Sequence, residues 1–268
     1  MLPTAYEWHW DLGHLIFMGA FYTVLVAIAG TLSVVAYRTM KNVRRASRIE
    51  WIGAFHDLPD SRIKCRYDIL DRVGERVCQN GLDCGSCPFH ELHGKAADQE
   101  ETKNTAELHG FEIKPDLKYH RGHTWVRDDG NGVFALGIDD FGARVLGRPD
   151  EVILPEVGTE LVANSKGFDV RVAGNKISIM SPLDGEVVET GDGTEDWWLK
   201  IRATGNPRQL QKLFEGNVAV CWSELELKLL KEHLGIDKSP FPENREGIRP
   251  AYPKADWETI WHDVFLNV

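Results

Sequence analysis

An uncharged apolar run near the N-terminus constrains this chain most. Leu15–Tyr37 contains 23 residues without a single Asp, Glu, Lys or Arg. As a helix such a run is about 34 Å long, enough to cross a bilayer. The residues before it carry Glu7 and Asp11 and no Lys or Arg, whereas a cleaved signal peptide begins with basic residues. The run therefore predicts an uncleaved, single-pass membrane helix.

The charges that flank this run predict its orientation. Five basic residues follow within residues 38–48: Arg38, Lys41, Arg44, Arg45 and Arg48. Basic flanks stay on the cytoplasmic side of the inner membrane. We therefore expect the N-terminus outside and the bulk of the chain in the cytoplasm.

The remainder has the composition of a folded protein. The chain of 268 residues is 43% hydrophobic and 27% charged, which is enough apolar material for a core. Its formal net charge is −10. A surface this acidic disfavours nucleic acid as a partner, because nucleic acid binding depends on neutralising phosphates with Lys and Arg.

A cluster of cysteines follows the juxtamembrane region. Four of the five cysteines fall within 23 residues: Cys65, Cys78, Cys84 and Cys87. In a reducing cytoplasm such a set favours a metal over disulfides. The uneven spacing and the Cys-Pro ending indicate an Fe–S cluster, with Zn²⁺ as the alternative. His90 and His93 follow closely and are possible replacement ligands.

Motifs of independent catalysis are missing from the sequence. It contains no P-loop, no G-x-G-x-x-G and no pattern of a nucleophile with its base. We therefore predict that the chain is not an enzyme.

Short alternating strands with glycine turns begin near residue 117. Asp139 is a candidate N-cap for a short helix that ends near Leu146. Two strands, 168–173 and 176–180, predict a hairpin closed by Gly174-Asn175. Further helices are expected at 210–214 and 223–234, and an extended, proline-rich tail at 239–253.

The stretch from Tyr119 to about Trp222 resembles the glycine cleavage system H protein. The matching segments are HTWVR, VFALGIDDFGARVLG, EVILPEVGTEL, SPLDGEVVE and WWLKI, in that order. The resemblance covers roughly 40% of the chain. It implies an antiparallel β sandwich with helices at its edges, so the fold class is α+β with a membrane helix and a Cys-rich insertion.

The resemblance also implies a lipoyl group on a lysine at a hairpin tip. Counting back from Pro182, the position of that lysine falls on Gly174. Lys176 lies two residues further on, where it would occupy the flank of a strand. We therefore expect no lipoate, and Lys176 is the alternative attachment site.

The chain ends in an apolar stripe at helical spacing. Asp256 is a candidate N-cap, and the stripe comprises Trp257, Ile260, Trp261, Val264 and Phe265. A helix this short needs a docking surface, either on the chain itself or on a partner subunit. The predicted organisation is thus a tail and membrane helix (1–37), a juxtamembrane helix (38–60), a Cys-rich segment and linker (61–105), an H-like domain (106–235) and an arm with a docking helix (236–268).

Together these features predict a membrane-anchored, non-catalytic accessory subunit of a cytoplasm-facing redox complex of the anaerobic respiratory type. Its expected partners are the membrane and other subunits of that complex. Two alternatives remain open: a lipoyl-type carrier that uses Lys176, and a membrane scaffold held together by Zn²⁺.

Overall fold

The computed structural model describes residues 11–97, 106–108, 110–192, 195–205, 207–236, 241 and 247–267. In these residues the helices are α1 (Leu12–Phe55), α2 (Arg66–Ile69), α3 (Pro88–Ala97), α4 (Asp140–Leu146), α5 (Gly216–Leu234) and α6 (Trp257–Val264). Short 3-10 turns lie at Cys84–Ser86, Pro207–Lys212 and Arg249–Ala251. The chain divides into two compact units, Met1–Ala46 and Ser47–Val268.

The first unit contains the apolar part of α1. Leu12–Thr39 is long and apolar enough to cross a membrane, by length and composition, and its apolar side chains lie exposed. Two of its hydroxyl groups are bonded within the helix: Thr23 donates to the Gly19 carbonyl at 2.7 Å and Ser33 to the Ala29 carbonyl at 2.8 Å. Hydroxyls bonded within their own helix are compatible with an apolar solvent. The predicted apolar helix is confirmed, and it continues without a break to Phe55.

The second unit is built on antiparallel sheets, as the α+β class predicts. The strands are β1 (Ala106–Leu108), β2 (Phe111–Ile113), β3 (Lys118–Tyr119), β4 (Thr124–Gly130), β5 (Val133–Ile138), β6 (Glu151–Ile153), β7 (Glu160–Leu161), β8 (Lys166–Val172), β9 (Asn175–Met180), β10 (Gly185–Thr190) and β11 (Leu199–Ala203). They form a six-stranded sheet in the order β3-β4-β5-β11-β10-β7, a three-stranded sheet β6-β8-β9 and a β1-β2 pair.

Alternation along the strands builds the main core. On β8 the buried apolar side chains are Phe168, Val170 and Val172, and on β11 they are Leu199 and Ile201. Because successive side chains of a strand point to opposite faces, each sheet contributes one apolar face to a shared core.

Two predicted boundaries were wrong. Helix α5 begins at Gly216 rather than at 223, because Val218, Ala219 and Trp222 already belong to its buried face. The β-branched and aromatic residues at 218–222 resemble a strand when read alone. The end of the predicted Cys-rich segment and linker (61–105) is helical as far as Ala97, since α3 extends into it; residues 98–105 lie outside the described residues.

The C-terminal helix packs on its own chain. All five residues of the predicted stripe are buried in the main core. Asp256 caps α6, accepting from the Thr259 N–H at 3.2 Å, and the Trp261 indole donates to the Val145 carbonyl at 3.1 Å. The predicted helix thus docks on its own chain and not on a partner subunit. Residues 249–251 form a 3-10 turn, so this part of the tail is not extended as predicted, and most of residues 237–246 lies outside the described residues.

Candidate functional site: the hairpin tip and the cysteine segment

The β8–β9 hairpin presents Gly174 at its tip. Val172 pairs with Asn175, so the loop is Ala173-Gly174, one residue earlier than the predicted Gly174-Asn175. Both loop residues have positive φ, 51° at Ala173 and 81° at Gly174, which matches the type I′ turn that the right-handed twist of a hairpin favours. The tip therefore carries no side chain that could bear an acyl group.

Lys176 lies on the flank of β9, as expected. Its Nζ is 3.0 Å from Asp169 Oδ2, and the Lys166 Nζ is 2.8 Å from the same oxygen. Asp169 is only 3% exposed, and the Ser178 hydroxyl donates to its other oxygen at 2.8 Å. Burial by itself raises the pKa of Asp169, but the two lysines and Ser178 lower it overall. Acylation of Lys176 would thus remove a charge that stabilises a buried carboxylate.

A short antiparallel ladder aligns two of the predicted ligands. Lys64 and Val77 form a bridge, flanked by hydrogen bonds from Cys65 N to Arg76 O (2.8 Å) and from Cys78 N to Ile63 O (2.6 Å). Because side chains alternate between faces, Cys65 and Cys78 point to the same side, at diagonal positions about 7–8 Å apart. Residues 13 apart in sequence thus become neighbours.

The other two thiols share one 3-10 turn. Cys84 begins the turn Cys84–Ser86, and the Cys87 N–H donates to the Cys84 carbonyl at 3.2 Å. Burial raises the pKa of the Cys84 thiol, while the positive charges of Arg66 and Arg121 act to lower it. The thiols of Cys78 and Cys65 also act on Cys84, so three of the four lie within electrostatic reach of one another.

The four cysteines form no disulfide, and their side chains do not converge on one point. All four are free and partly exposed. Among the described residues, no three His, Cys, Asp or Glu side chains lie close enough to hold a metal ion as they stand. The metal set therefore stays a prediction, one that requires the side chains to rotate toward one another.

The two candidate histidines make other contacts. His90 Nδ1 lies 2.8 Å from the Tyr67 hydroxyl, and both residues are buried. His93 stacks on Phe89 with ring centroids 4.1 Å apart, and its Nδ1 lies 2.9 Å from the Phe89 carbonyl oxygen. These contacts give both imidazoles a role in packing α3.

Buried charges beside the cysteine segment were not predicted. Arg62 forms a buried ion pair with Glu226, which also accepts from the Trp222 indole at 3.0 Å. His123 Nε2 lies 3.6 Å from Glu226 Oε2, and His123 Nδ1 lies 2.9 Å from Asp139 Oδ2. Burial lowers the pKa of His123, but Asp139 and Glu226 outweigh it and raise that pKa to about 9. The pKa of Glu226 falls to about 2, because Arg62 and His123 outweigh the opposite effect of burial.

Arg121 is a further buried cation that was not predicted. It is 8% exposed and donates to two carbonyl oxygens, of Lys64 at 2.6 Å and of Arg62 at 3.4 Å. Its guanidinium lies over the Phe214 ring, 4.7 Å from the centroid. Burial lowers the pKa of Arg121, and Cys84, Cys78 and then Glu226 raise it. The only signal in the sequence was the basic character of Lys118-Tyr-His-Arg121, which says nothing about burial.

Comparisons with known proteins identify the β domain. The family model described as Glycine cleavage H-protein matches residues 117–219. A glycine cleavage system H protein of Marinomonas sp. (strain MWYL1) is 34% identical over 116 residues, which cover 38% of this chain and 91% of that protein. The H protein of Idiomarina loihiensis is 33% identical over 121 residues and is covered to 91%.

One solved structure is also similar. The crystal structure of a glycine cleavage system H protein from Mycobacterium marinum aligns with a TM-score of 0.31 at 22% identity, covering 35% of this chain and 87% of that one. The assignment follows from the sequence comparisons, because they cover nearly the whole length of the relatives at more than 30% identity. Through the domain that begins at residue 117, the chain belongs to the glycine cleavage H-protein family.

Proposed function

We propose that this chain is a membrane-anchored, non-catalytic subunit of a redox complex, and that its H-like domain is an interaction module without a lipoyl arm. The observation that carries the proposal is the hairpin, where Gly174 occupies the tip and Lys176 pairs with Asp169. A family member without an acylated lysine keeps the sandwich but not the carrier chemistry. The sandwich is then free to serve as a docking platform.

The anchor in this proposal is α1. An exposed apolar helix of 28 residues, Leu12–Thr39, followed by basic residues, supports a single pass with the N-terminus outside. The cysteine segment and the H-like domain would then face the cytoplasm, which is the reducing compartment that free thiols need.

Four cysteines next to the domain support a redox role. In the proposal Cys65, Cys78, Cys84 and Cys87 hold an Fe–S cluster, with Zn²⁺ as the alternative occupant. The paired positions of the first two thiols and the shared turn of the last two favour one centre over two. An Fe–S centre would pass electrons, whereas Zn²⁺ would only stabilise the segment.

Protein subunits are the proposed partners. The relatives are named as H proteins of the glycine cleavage system, and a component of a larger system works by contacting other proteins. The net charge of −10 disfavours nucleic acid. We propose partners of the anaerobic respiratory type at the inner membrane.

Labelling of single introduced cysteines tests the anchor. In a variant without native cysteines, a probe at position 7 should react with a membrane-impermeant maleimide in intact cells, and a probe at position 60 only after lysis. In a variant with the charges of Arg44, Arg45 and Arg48 removed, a fraction of the molecules should insert in the opposite orientation, because basic residues keep their side of the helix in the cytoplasm. Labelling of position 60 from outside would overturn the cytoplasmic assignment.

Purification of the tagged chain from native membranes tests the complex. The expected result is a stoichiometric assembly with subunits that carry haem, flavin or Fe–S absorbance. A chain that purifies alone in mild detergent, with no redox chromophore, contradicts the proposal. In that case bound zinc without iron would favour the scaffold alternative.

A further inference from the structure

A cavity of about 340 Å³ lies where helix α4 meets the six-stranded and three-stranded sheets. Its apolar wall is formed by side chains of all three, among them Leu146, Ile138, Val152 and Val170. Ile138, Val152 and Trp198 are only half-buried, so this wall is open to solvent. An open cavity of this size can receive a small ligand or a side chain of a partner.

Acidic side chains surround the apolar wall. The charged residues that line the cavity are one lysine, Lys114, and five carboxylates: Glu112, Asp139, Asp140, Glu195 and Asp196. The chain as a whole is also acidic, with a formal net charge of −10. A group that enters the cavity therefore meets a negative field, which attracts cations and repels anions.

Three of these carboxylates already have a basic partner. The pairs are Asp139 with His123 at 2.9 Å, Asp140 with Arg144 at 2.9 Å and Asp196 with Lys114 at 3.7 Å. Glu112 and Glu195 are exposed, and among the described residues no Lys, Arg or His nitrogen lies within ion-pair distance of either carboxylate. Glu195 accepts a hydrogen bond from the neutral Trp197 indole. Two negative charges are therefore left at the rim of an apolar cavity.

An arginine side chain has the chemistry that this cavity requires. Its aliphatic stem can cover apolar surface while its guanidinium stays near the carboxylates at the rim. Three aromatic residues, Tyr119, Trp125 and Trp198, also line the cavity. A guanidinium stacks on aromatic rings and is more weakly hydrated than the ammonium of a lysine, so its transfer from water costs less.

We propose that this cavity receives an arginine, flanked by apolar residues, from a segment of a partner subunit. This inference rests on the interaction role proposed above for the H-like domain, and it names the surface and the chemistry of the partner. It requires neither a metal at the cysteines nor a lipoyl arm. Glu112 and Glu195 hold the guanidinium, and the apolar wall contacts the flanking side chains.

Binding of a model peptide tests the inference. The probe is Leu-Arg-Leu-amide with an uncharged fluorophore at its N-terminus, and its binding to the full chain in a neutral detergent is measured by fluorescence anisotropy. In the matched peptide, citrulline replaces arginine, which removes the charge and keeps the shape. Glu112→Gln with Glu195→Gln removes the two rim charges, and Ala143→Leu narrows the cavity from the exposed side of α4. The matched control is Glu156→Gln with Glu258→Gln, two exposed glutamates that do not line the cavity.

The wild-type chain and the control variant should bind the arginine peptide more tightly than the citrulline peptide. Removing both rim charges should weaken binding of the arginine peptide roughly 10-fold, because hydrogen bonds to an ionised group are the strong ones. Ala143→Leu should weaken binding of both peptides, since it takes up space that the flanking leucines need. Added salt should weaken binding of the arginine peptide only.

The inference is wrong if the arginine peptide does not bind, if both peptides bind equally, or if either cavity variant binds as the wild type does. Binding of free arginine amide as tight as that of the peptide would also overturn it, because the cavity would then be a site for a small molecule. These results do not depend on the redox complex. A chain that purifies alone yet binds the peptide in this pattern refutes the proposed complex and leaves the arginine site in place.

Discussion

At the scale of single residues, His120 shows how burial fixes a protonation state. The Gly122 N–H donates to its Nδ1 at 3.1 Å, so Nε2 carries the proton and bonds the Asn164 amide oxygen at 2.8 Å. A second proton on Nδ1 would point at the Gly122 N–H, so protonation of His120 would break this hydrogen bond. Burial, assisted by the charge of Lys212, lowers the pKa of His120 to about 3.

This depressed pKa predicts acid sensitivity. In the unfolded chain His120 titrates near about 6.5, so the unfolded state binds the proton first as the pH falls. The contribution of neutral His120 to the free energy of unfolding is complete above about pH 6.5, and it declines as the pH falls toward the pKa of the folded state. Between pH 6.5 and 5 the wild-type free energy of unfolding should fall by up to about 1.4 kcal/mol per pH unit more than that of His120→Gln. Urea titrations of the full chain in detergent, repeated at each pH, measure this difference in the free energy of unfolding.

The exposed Gln79→Asn, which changes no titratable group, should keep the wild-type slope in the same titrations. His123, whose pKa is about 9, stays charged throughout this window in the folded state of all three proteins. Equal slopes for wild type and His120→Gln would show that His120 is not the group responsible.

Sequence reasoning succeeded at residues whose role is local. Gly174 at the hairpin tip and the Asp139 N-cap, which accepts from Gly142 N at 2.6 Å, depend on a few neighbours along the chain. The ion pair of Arg62 with Glu226 joins residues 164 positions apart. No local pattern encodes such a pair, because it forms only when the cysteine segment packs against α5.

At the scale of elements, the hairpin loop stores strain in Ala173. An L-residue with a Cβ pays roughly 1 kcal/mol or more in the left-handed region, and Asn pays less. Ala173 has a φ of 51° and is exposed, so a larger side chain at this position would meet no steric clash. Ala173→Asn creates the Asn-Gly pair that a type I′ turn favours.

We expect Ala173→Asn to stabilise the domain by about 0.5–1 kcal/mol, measured by chemical denaturation. Ala173→Val, which is β-branched, should destabilise it and provides the matched opposite change. A loss of stability in Ala173→Asn would mean that the loop is not a type I′ turn.

Helix α6 is an element whose docking within the chain has an energetic consequence. Trp261 is 2% exposed in the main core, and its indole is hydrogen-bonded to Val145. Trp261→Ala should therefore cost about 3–5 kcal/mol of unfolding free energy, the usual range for a buried aromatic. The exposed Glu258→Ala on the same helix should cost less than about 0.5 kcal/mol.

Thermal or urea unfolding of both variants measures the contribution of α6. A Trp261→Ala protein as stable as wild type would place the helix elsewhere, on a partner. The 3.6-residue period of the sequence predicted the apolar stripe. It did not predict the surface on which the stripe packs, because a period shows which face of a helix is apolar and not what covers that face.

At the scale of the whole molecule, the family domain is the central part of a larger unit. Its matched segment, residues 117–219, lies between the cysteine segment and α6. Leu266, just after α6, packs in one cluster with Phe55, Ile63 and Leu82 from the cysteine side. The additions at both ends thus meet on the sandwich, which explains why Ser47–Val268 forms one compact unit.

Peptide mass mapping of the native protein measures whether this family member carries the lipoyl arm that we propose it lacks. The chain is isolated from cells that also contain a lipoylated H protein, which serves as the positive control. We predict that the peptide carrying Gly174 and Lys176 has only its unmodified mass while the control peptide is lipoylated. A lipoyl group on Lys176 would contradict the account and establish the chain as a carrier.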